Sequence, residues 1–551
     1  IGEDGSGFYA TAYNLYLTIY SLAVTGFPVA VAKLVATYAA EGRYRDVKQI
    51  VKTSRLAFGI LGVIASLALM LLARPYVTWV ENPGAFYSVL MVAPSLLFSC
   101  LMSVQRGYNQ GMKNMIPTAV SQVIEVLFKA ACGLGFSLIV KNHFTAEFEQ
   151  FGTVFGTAYE NAGSASVAIS SLSAAAVILG VSVSTCAGWL YLAIRNAVKG
   201  DGISKSQLKG SPEPHSSRYL LKQILIFVFP IALSSVTVNI TGLIDNSSVL
   251  YRLRHVIETD LAALYLSHGG WLEMAERTLE EIPNYLYGVY NTAISIFNLV
   301  PSLTGSFGMS ALPHVTTAWQ QKDQKALRRG VSSTLRLTTL IAAPAGFGIA
   351  FLAAPIADLL YGSSMPIGSH IAGSILPTLG IAAIFVALVS PINALLQAIG
   401  RIDVPVKLML VGGLVKLASN YLLVGIPSLN IMAAPMGNLL CYFVIFVFSL
   451  IILSRETRIR YNLKSIFFKP LFSGLLCGVF ARLSYSGLEL LLGDRMSGTL
   501  AKLVTVAAIG VGALVYLVAL GATGALVRAD VRSLPGGAKI EKVLEKIQML
   551  R

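Results

Sequence analysis

Apolar runs of about 18 or more residues recur along the whole chain, separated by polar stretches. Each run is long enough to cross the ~30 Å hydrocarbon core of a bilayer as a helix, and a helix pairs its own backbone polar groups, as lipid requires. The pattern therefore predicts an all-α polytopic membrane protein. Thirteen transmembrane helices are predicted, at residues 9–39, 56–73, 86–105, 117–140, 164–194, 223–249, 286–311, 337–360, 371–399, 408–425, 432–454, 470–489 and 499–526.

The positions of the charged residues predict the topology. The net charge of +15 would suit a nucleic-acid partner, but 31 of the 42 lysines and arginines lie in alternate loops and in the C-terminal tail. The positive-inside rule makes these loops cytoplasmic, so we expect contact with anionic membrane lipids and no nucleic acid. The basic stretches are residues 43–55, 106–113, 195–222, 322–336, 401–407, 455–469 and 528–551.

A weak internal repeat predicts two related bundles, an arrangement found in many transporters. The segment FPVAVAKLVATYAAEGRYRDVKQIVKTSR is echoed by LPHVTTAWQQKDQKALRRGVSSTLR. A second echo relates Gln110, Pro117 and Lys129 to Gln397, Pro405 and Lys416, at nearly the same offset. Because the span at 223–249 has no counterpart before residue 9, we expect that a first transmembrane helix is absent from this sequence and that the complete protein has fourteen.

The repeat also predicts the domain organisation. We expect an N-lobe at 1–195, a cytoplasmic linker at 196–222, a C-lobe at 223–454 with an external insertion at 252–283, and a C-terminal helix pair at 455–526. The stretch 141–163 is predicted as a second external loop, and the residues 527–551 as a cytoplasmic amphipathic helix on the membrane surface.

Ionisable residues within spans are candidate functional residues, because burying charge in a membrane is costly. Glu125 and Lys129 stand at i and i+4 and are predicted to pair, either as a structural ion pair or as a charged cavity wall. Lys416, with Asn420 one turn on, needs a partner from another helix or from an anionic substrate. All five cysteines also lie within spans, which predicts buried thiols rather than a disulfide or a metal cluster.

Further candidates lie nearer the ends of spans. Asp245 and Asn239 can bind a coupling cation or a lysine, the alternative for Asp245 being a solvated helix end. Lys33 can line a cavity or extend its ammonium to the cytoplasmic surface. A cytoplasmic cluster can hold phosphate, or its arginine can act as a positive-inside anchor; its members are Arg106, Tyr108 and Gln110.

Several classes of enzyme are disfavoured by missing motifs. The sequence contains no Gly-x-x-x-x-Gly-Lys-Ser/Thr phosphate loop and no Gly-x-Ser-x-Gly or His-Glu-x-x-His motif. We therefore predict a transporter rather than an enzyme, with no cofactor and no metal site. Any uphill transport is expected to be driven by an ion gradient, a coupling cation, the membrane potential or downstream consumption of the product.

Four segments give the sequence a family resemblance: residues 1–38, LMSVQRGYNQGMKNMIPTAVSQVIEVLFK, IALSSVTVNITGLIDNSSVLYRL and LVGGLVKLASNYLLVGIPSLNI. Over essentially its whole length, the chain resembles the SpoVB/YtgP branch of the multidrug/oligosaccharidyl-lipid/polysaccharide (MOP) flippase superfamily, related to the MurJ lipid II flippases. The resemblance implies fourteen helices, two six-helix lobes around a cationic cavity, and a groove for a polyprenyl tail formed by the last helix pair. It assigns to the cavity Lys33, Arg106, Glu125, Lys129, Asp245 and Lys416.

The resemblance also implies a function, namely moving an undecaprenyl-pyrophosphate-linked peptidoglycan precursor (lipid II) from the inner to the outer leaflet of a bacterial plasma membrane by alternating access. Cell-wall synthesis enzymes are expected partners. Alternatives are a flippase for another polyprenyl-linked polysaccharide or a spore-wall precursor, a cation-coupled multidrug antiporter, and a non-transporting scaffold. The two C-terminal helices beyond the repeats argue against the antiporter, and charges at membrane depth argue against the scaffold.

Overall fold

The computed structural model describes residues 2–112, 114–159, 161–200, 202–264, 267, 278–401, 403–459, 461–493 and 498–524. Within these helices, the side chains of residues 229–240 and of 306, 309, 310, 312 and 313 lie outside the description, as do those of Glu3, Lys199 and Lys205. The predicted amphipathic tail at 527–551 and the middle of the predicted insertion, at 265–266 and 268–277, lie outside it as well.

The described residues are almost entirely helical, which confirms the predicted fold class. Short 3-10 turns cover Pro83–Ala85 and Asn430–Ala433, and a π-helical turn covers Lys464–Phe468. The other elements are α1 (Gly2–Ala23), α2 (Phe27–Ala40), α3 (Tyr44–Trp79), α4 (Phe86–Gly111), α5 (Ile116–Phe151), β1 (Thr153–Val154), β2 (Thr157–Ala158), α6 (Ala162–Lys199), α7 (Lys205–Lys209), α8 (Ser217–Thr259), α9 (Ile282–Phe297), α10 (Leu299–Gln320), α11 (Gln324–Phe351), α12 (Ala353–Tyr361), α13 (Pro366–Ala398), α14 (Asp403–Leu423), α15 (Ala434–Thr457), α16 (Lys469–Leu492) and α17 (Gly498–Thr523).

Eleven helices in the described part of the chain are long and apolar enough to cross a membrane, with α1 and α2 together forming one of them. The predicted spans at 223–249 and 286–311 are helical, within α8 and within α9–α10, but they are not among the eleven. The predicted count of thirteen is therefore not confirmed, whereas the class of polytopic helical membrane protein is.

Several helices extend well past the predicted spans. The basic stretch 43–55 belongs to α3 from Tyr44 onward. The predicted external loop 141–163 is helical as far as Phe151, and an antiparallel pairing of Thr153–Val154 with Thr157–Ala158 follows. A helix of 36 residues is about 54 Å long, which exceeds the ~30 Å hydrocarbon thickness. The predicted spans were shorter than the helices because an apolar run marks only the part of a helix within lipid, and the helix continues beyond that part.

The described chain forms two compact units, one comprising Ile1–Tyr251 with Glu276–Gly288 and the other Arg252–Ala275 with Val289–Arg551. In the first unit α4 packs against α1, α2, α3 and α6, and the core includes stacked Phe27 and Phe58 rings with centroids 3.8 Å apart. In the second unit α13 packs against α10, α11, α12 and α15. The predicted lobe boundaries at 195 and 223 stay predictions.

The helix contacts within each unit support the predicted repeat. In the first unit, α4 contacts α2, α3 and α6, and α5 contacts α6. In the second unit, α13 makes the corresponding contacts with α10, α11 and α15, and α14 contacts α15. The same order of contacts along two stretches of chain is expected when both descend from one ancestral bundle.

The predicted linker at 196–222 is held against the turn between α2 and α3 by a fully buried carboxylate. Asp46 accepts hydrogen bonds from Arg43 Nε at 2.7 Å and from the backbone N–H of His215 at 2.7 Å. Arg45 Nε donates to the carbonyl of Leu208 at 3.0 Å. A charged acceptor makes these bonds stronger than neutral ones, so this part of the linker is fixed to the first unit.

Candidate functional site

A stripe of tyrosines on α1 forms one wall of the candidate site in the first unit. The side chains repeat at intervals of four, three and four residues, which places them on one face of a helix. The Tyr9 and Tyr13 rings are stacked with centroids 5.2 Å apart, and the following pairs along the stripe are 5.6 and 5.5 Å apart. We call this set the tyrosine stripe; it consists of Tyr9, Tyr13, Tyr16 and Tyr20.

Lys129 on α5 lies against this stripe. Its ammonium is 4.9 Å from the centroid of the Tyr13 ring, within the range of a cation–π interaction, and it donates a hydrogen bond to the Tyr13 hydroxyl at 3.4 Å. The side chain is partly buried. The predicted partner of Lys129 was Glu125, one turn away; the two side chains interact electrostatically, but each makes its direct contact with another residue.

Glu125 instead forms a salt bridge with Arg106 on α4. Arg106 Nη2 donates to Glu125 Oε2 at 2.9 Å, and Arg106 Nε donates to Ser121 Oγ at 3.0 Å. The two charged side chains are 13% and 28% exposed, so the pair is mostly shielded from solvent but remains reachable. The i,i+4 rule failed here because Arg106 presents a guanidinium to the same carboxylate, and an arginine can grip a carboxylate with directed N–H groups.

These residues form one group of charges. Tyr20 of the stripe lies close enough to Glu125 and Arg106 to interact electrostatically with both. Two cations and one carboxylate leave an excess positive charge beside phenol hydroxyls, which can donate hydrogen bonds. The arrangement suits a phosphate-bearing ligand. In the described part of the chain, no group of three or more His, Cys, Asp or Glu side chains could hold a metal ion.

Close packing of α4 on α2 fixes the position of Arg106. A Cβ at the next residue, Gly107, would lie 2.7 Å from the backbone carbonyl oxygen of Pro28 and 2.8 Å from Val31. Real Cβ atoms do not approach that closely, so a glycine is required for this separation of the helices. Since Gly107 faces α2, Arg106 points away from that contact and reaches α5.

The other residues predicted for this part of the site differ in how exposed their side chains are. Tyr108 is buried, at 6% exposure, and Gln110 is half-buried, so the predicted cytoplasmic phosphate cluster is not a uniformly accessible surface. Lys33 is exposed, and its ammonium lies 3.9 Å from the centroid of the Phe227 ring on α8. The alternative of a positive-inside anchor for Arg106 stays a prediction; the structure adds that its guanidinium is engaged with Glu125.

Asp245 on α8 is 6% exposed, which contradicts the alternative of a solvated helix end. Its neighbour Asn246 is fully buried in a hydrogen-bonded network with α1 and α3: Thr11 Oγ1 donates to Asn246 Oδ1 at 3.0 Å, and Asn246 Nδ2 donates to the Tyr76 hydroxyl at 2.7 Å. The side chain of Asn239 lies outside the described residues.

The network continues through Asn82, which donates to Thr11 Oγ1 at 3.0 Å and to Asn284 Oδ1 at 2.8 Å. Asn284 Nδ2 then donates to the backbone carbonyl of Asp4 at 3.1 Å. Sequence reasoning assigned no role to these polar residues, because single uncharged side chains carry no spacing signal. Only the fold brings them together.

In the second unit, Lys416 and Asn420 on α14 are both buried, at 2% and 0% exposure. They pack against α15 where it carries a glycine. A Cβ at Gly437 would overlap Asn420 Oδ1 and would lie 3.5 Å from Lys416 Cγ. The predicted adjacency of Lys416 and Asn420 is consistent with their shared helix face, but both are enclosed by protein.

The tyrosine stripe was also missed, although its signal is present in the segment YATAYNLYLTIY, residues 9–20. Aromatic residues at helical spacing are usual in apolar cores, so the pattern alone did not distinguish a stripe facing cations from one facing leucines. The decisive feature is Lys129, which follows more than one hundred residues later and reaches the stripe through the fold.

Comparison with known proteins agrees with this architecture. A family model described as "Polysaccharide biosynthesis protein" matches residues 1–319, more than half of the chain, and one described as "Lipid II flippase MurJ" matches residues 284–505. The lipid II flippase MurJ of Bacillus subtilis (strain 168) is 23% identical over 97% of this chain and 92% of its own length. Stage V sporulation protein B of the same organism is 24% identical over 79% of this chain and 74% of its own.

Solved structures show the same fold. A multidrug resistance MATE family transporter of the MOP superfamily, in an inward-facing conformation, aligns with a TM-score of 0.60 and 16% identity, covering 83% of this chain and 92% of its own. A lipid II flippase MurJ in an inward closed conformation aligns with a TM-score of 0.52 and 14% identity, covering 94% and 96%. The chain therefore belongs to the polysaccharide biosynthesis protein family, and its many helices that are long and apolar enough to cross a membrane make it a multi-pass membrane protein.

Proposed function

We propose that this flippase moves an undecaprenyl-pyrophosphate-linked peptidoglycan precursor, lipid II, from the inner to the outer leaflet by alternating access. The single observation that carries the proposal is the group formed by Arg106, Glu125 and Lys129 beside the tyrosine stripe. Similarity to a MurJ flippase over 97% of the chain supports lipid II as the substrate.

The charges of the group suit a pyrophosphate. Arg106 can grip phosphate oxygens with two N–H groups, and Lys129 supplies a compact second cation. Without ligand, Glu125 holds the guanidinium in place; when the pyrophosphate arrives, its oxygens replace the carboxylate as acceptors. This exchange limits the cost of keeping an arginine inside the bundle in the absence of substrate, because a paired charge is far less costly to bury than an isolated one.

In this proposal, the polyprenyl tail of the substrate contacts a different part of the protein from its headgroup. We assign it to the surface of the last helix pair, α16 and α17, which pack on each other. Their outward side chains are apolar and exposed, as expected for helices in contact with lipid chains; examples are Leu483, Leu503, Leu514 and Val518. A long prenyl chain can remain in the bilayer while the polar headgroup passes through the protein, so that only the headgroup needs a polar path.

The test uses the full-length gene in cells depleted of their own lipid II flippase. Lipid II accessible at the outer face is measured for wild type, Lys129→Ala and Arg106→Ala at matched protein levels. Lys52→Ala, which removes an exposed lysine on α3, is the control for loss of one positive charge. We expect outer-face lipid II for wild type and the control, and a loss of roughly tenfold or more for both site variants.

Two outcomes contradict the proposal. If wild type is expressed but places no lipid II at the outer face, the substrate assignment is wrong. If Lys129→Ala and Arg106→Ala both transport as well as Lys52→Ala, the assignment of the site is wrong. We also propose that transport depends on the membrane potential or on an ion gradient. Collapsing the membrane potential in the same cells tests this source of energy.

A second candidate is a flippase for another polyprenyl-linked glycan, favoured by the 24% identity to stage V sporulation protein B. The two candidates share the pyrophosphate and the lipid, so the same residues would serve both. Separate transport assays distinguish them: lipid II reaches the outer face if the first candidate is right, whereas only another polyprenyl-linked glycan does so if the second is right.

A further inference from the structure

A cleft of about 610 Å³ in the second unit carries a strong positive charge. It lies between the first turns of α11 and residues 462–466, which precede and begin the π-helical turn. None of its lining residues is acidic, and its serines and Asn462 offer hydroxyl and amide groups. We call it the basic cleft, after its cations Lys325, Arg328, Arg329 and Arg336.

A second concavity, of about 890 Å³, lies on the other side of the same turn. Apart from Lys464, every residue lining it is apolar. It is formed by α11, α13, α15 and the start of α16, and none of its lining residues comes from α17, so it is distinct from the surface of the last helix pair. We call it the apolar groove; its members include Phe347, Ile381, Phe385, Leu450, Phe467 and Leu471.

The π-helical turn Lys464–Phe468 divides its residues between these two concavities. Ser465 and Ile466 face the basic cleft, whereas Lys464, Phe467 and Phe468 face the apolar groove. One short segment therefore joins a polar, cationic recess to an apolar one. π-Turns within helices occur frequently at functional sites.

We propose that this pair of recesses binds an anionic glycerophospholipid, with its phosphate in the basic cleft and an acyl chain in the apolar groove. Basic pockets between transmembrane helices on the cytoplasmic side bind the headgroups of anionic lipids, and arginine holds phosphate bidentately. The net positive charge of the cleft selects against lipids with neutral headgroups, while the groove selects for an attached chain.

The depth of the groove fits a lipid of one leaflet. Phe347 stands eleven residues beyond Arg336 on α11, which is about 16 Å along a helix. Half of the ~30 Å hydrocarbon thickness is about the same length. An ordinary acyl chain fills such a groove, whereas a polyprenyl tail is much longer than the groove. This site does not depend on the proposed function, because it uses none of the residues assigned to the flipped headgroup.

The test measures lipid binding rather than transport. The purified full-length protein in detergent is titrated with dioleoyl-phosphatidylglycerol, or with dioleoyl-phosphatidylcholine as a neutral lipid with the same chains, and the bound lipids are counted by native mass spectrometry. We expect one phosphatidylglycerol to bind roughly tenfold more tightly than phosphatidylcholine. Arg328→Gln with Arg329→Gln should abolish that preference.

The matched control for charge is Lys52→Gln with Arg55→Gln, which removes two exposed cations from α3 in the first unit and should leave the preference intact. The chain site is tested with Ile381→Trp, since Ile381 lines the groove and is 39% exposed, against Leu410→Trp on the outer surface of α14. Ile381→Trp should lower the affinity for both lipids severalfold, and Leu410→Trp should not.

Three results would overturn the proposal. The first is an undiminished preference for phosphatidylglycerol in the double arginine variant, and the second is unchanged lipid affinity in Ile381→Trp. The third is a loss of this preference in the Lys52→Gln, Arg55→Gln control as large as that in the double arginine variant. Undecaprenyl pyrophosphate is the competing ligand. If it displaces phosphatidylglycerol at equal concentration and its own binding falls in the double arginine variant, the cleft belongs to the transported lipid, and the phospholipid assignment is wrong.

Discussion

Lys129 and Lys416 occupy corresponding places in the two predicted repeats, yet their surroundings differ. Lys129 is partly buried and lies over Tyr13, whereas Lys416 is 2% exposed and packs where α15 has a glycine. The helices differ in the same way: in its most apolar 18-residue window, α5 buries 6% of the residues inside the protein and α14 buries 39%. One sequence signal thus marks an accessible cation in one unit and an enclosed one in the other.

The cause lies in what covers each helix. In the first unit, α5 packs mainly on α6, and its remaining face carries Glu125 and Lys129 towards α4 and α1. In the second unit, α14 is covered by α15 at Lys416. A lysine can therefore be assigned to ligand binding only when the opposing helix is known, and we expect the two lysines to differ in how they affect stability and binding.

The largest difference is expected in stability. Lys416→Ala should lower the free energy of unfolding by about 2–4 kcal/mol, as truncation of a long buried side chain does. Lys129→Ala should change it by less than about 1 kcal/mol, because its side chain is only partly enclosed. Thermal unfolding of the two purified variants in the same detergent checks this, and equal shifts in melting temperature would show that the two environments do not differ in the way described.

The second-largest effect concerns the salt bridge between Arg106 and Glu125. Arg106→Ala leaves Glu125 without its salt bridge, which should cost roughly 2 kcal/mol, less than the 3–5 kcal/mol of a fully buried pair because Glu125 is 28% exposed. Adding Glu125→Gln removes the stranded charge and should restore most of the lost stability without restoring transport. If the double variant unfolds as easily as Arg106→Ala, the lost stability comes from the packing of the Arg106 side chain and not from the stranded charge of Glu125.

The third effect separates binding from folding. Lys129→Ala should weaken binding of short-chain lipid II by roughly tenfold while leaving the melting temperature nearly unchanged, since one charge-assisted contact is lost. Lys52→Ala is a matched lysine variant in the same unit, which removes an exposed lysine on α3. It should weaken binding less than twofold. Equal losses in both variants would indicate a general effect of net charge.

The smallest effect distinguishes the two contacts of Lys129 with Tyr13. Tyr13→Phe keeps the ring and removes the hydroxyl, whose hydrogen bond is long at 3.4 Å, so binding should fall less than about twofold. Tyr13→Leu also removes the cation–π interaction and should lower affinity by roughly threefold to tenfold. Titration of short-chain lipid II by tryptophan fluorescence or calorimetry measures both, and a larger loss in Tyr13→Phe would assign the main role to the hydroxyl.

The sequence predicted the fold class because the bilayer leaves few choices. Apolar runs had to form helices within lipid. In a chain that crosses the membrane repeatedly, loops rich in lysine and arginine had to alternate with loops that are poor in them. The repeat was readable because Pro, basic turn and apolar span recur in order, and the contacts of α4 and α13 support it. Helix ends were predicted poorly, as at Phe151, because helices continue into water where hydropathy no longer marks them.

The candidate residues were found more easily than their partners. Glu125 and Lys129 stand out because charges at membrane depth are rare and costly, and Arg106 stands out because an arginine at the end of a span can hold phosphate. Their pairing was mispredicted, since the spacing rule sees one helix at a time and Arg106 comes from another. The tyrosine stripe and the polar network around Asn246 escaped because uncharged residues carry little cost and therefore little signal.

The sequence by itself thus determined that the chain is a polytopic helical membrane protein with charges that need partners, and it predicted a repeated bundle. The tertiary structure decided which partner each charge has, which tyrosines face a cation, and whether a lysine is reachable or enclosed. The physical reason is that transfer between water and lipid depends on each segment's own composition, whereas hydrogen bonds and ion pairs depend on distances of a few ångströms between helices far apart in the chain.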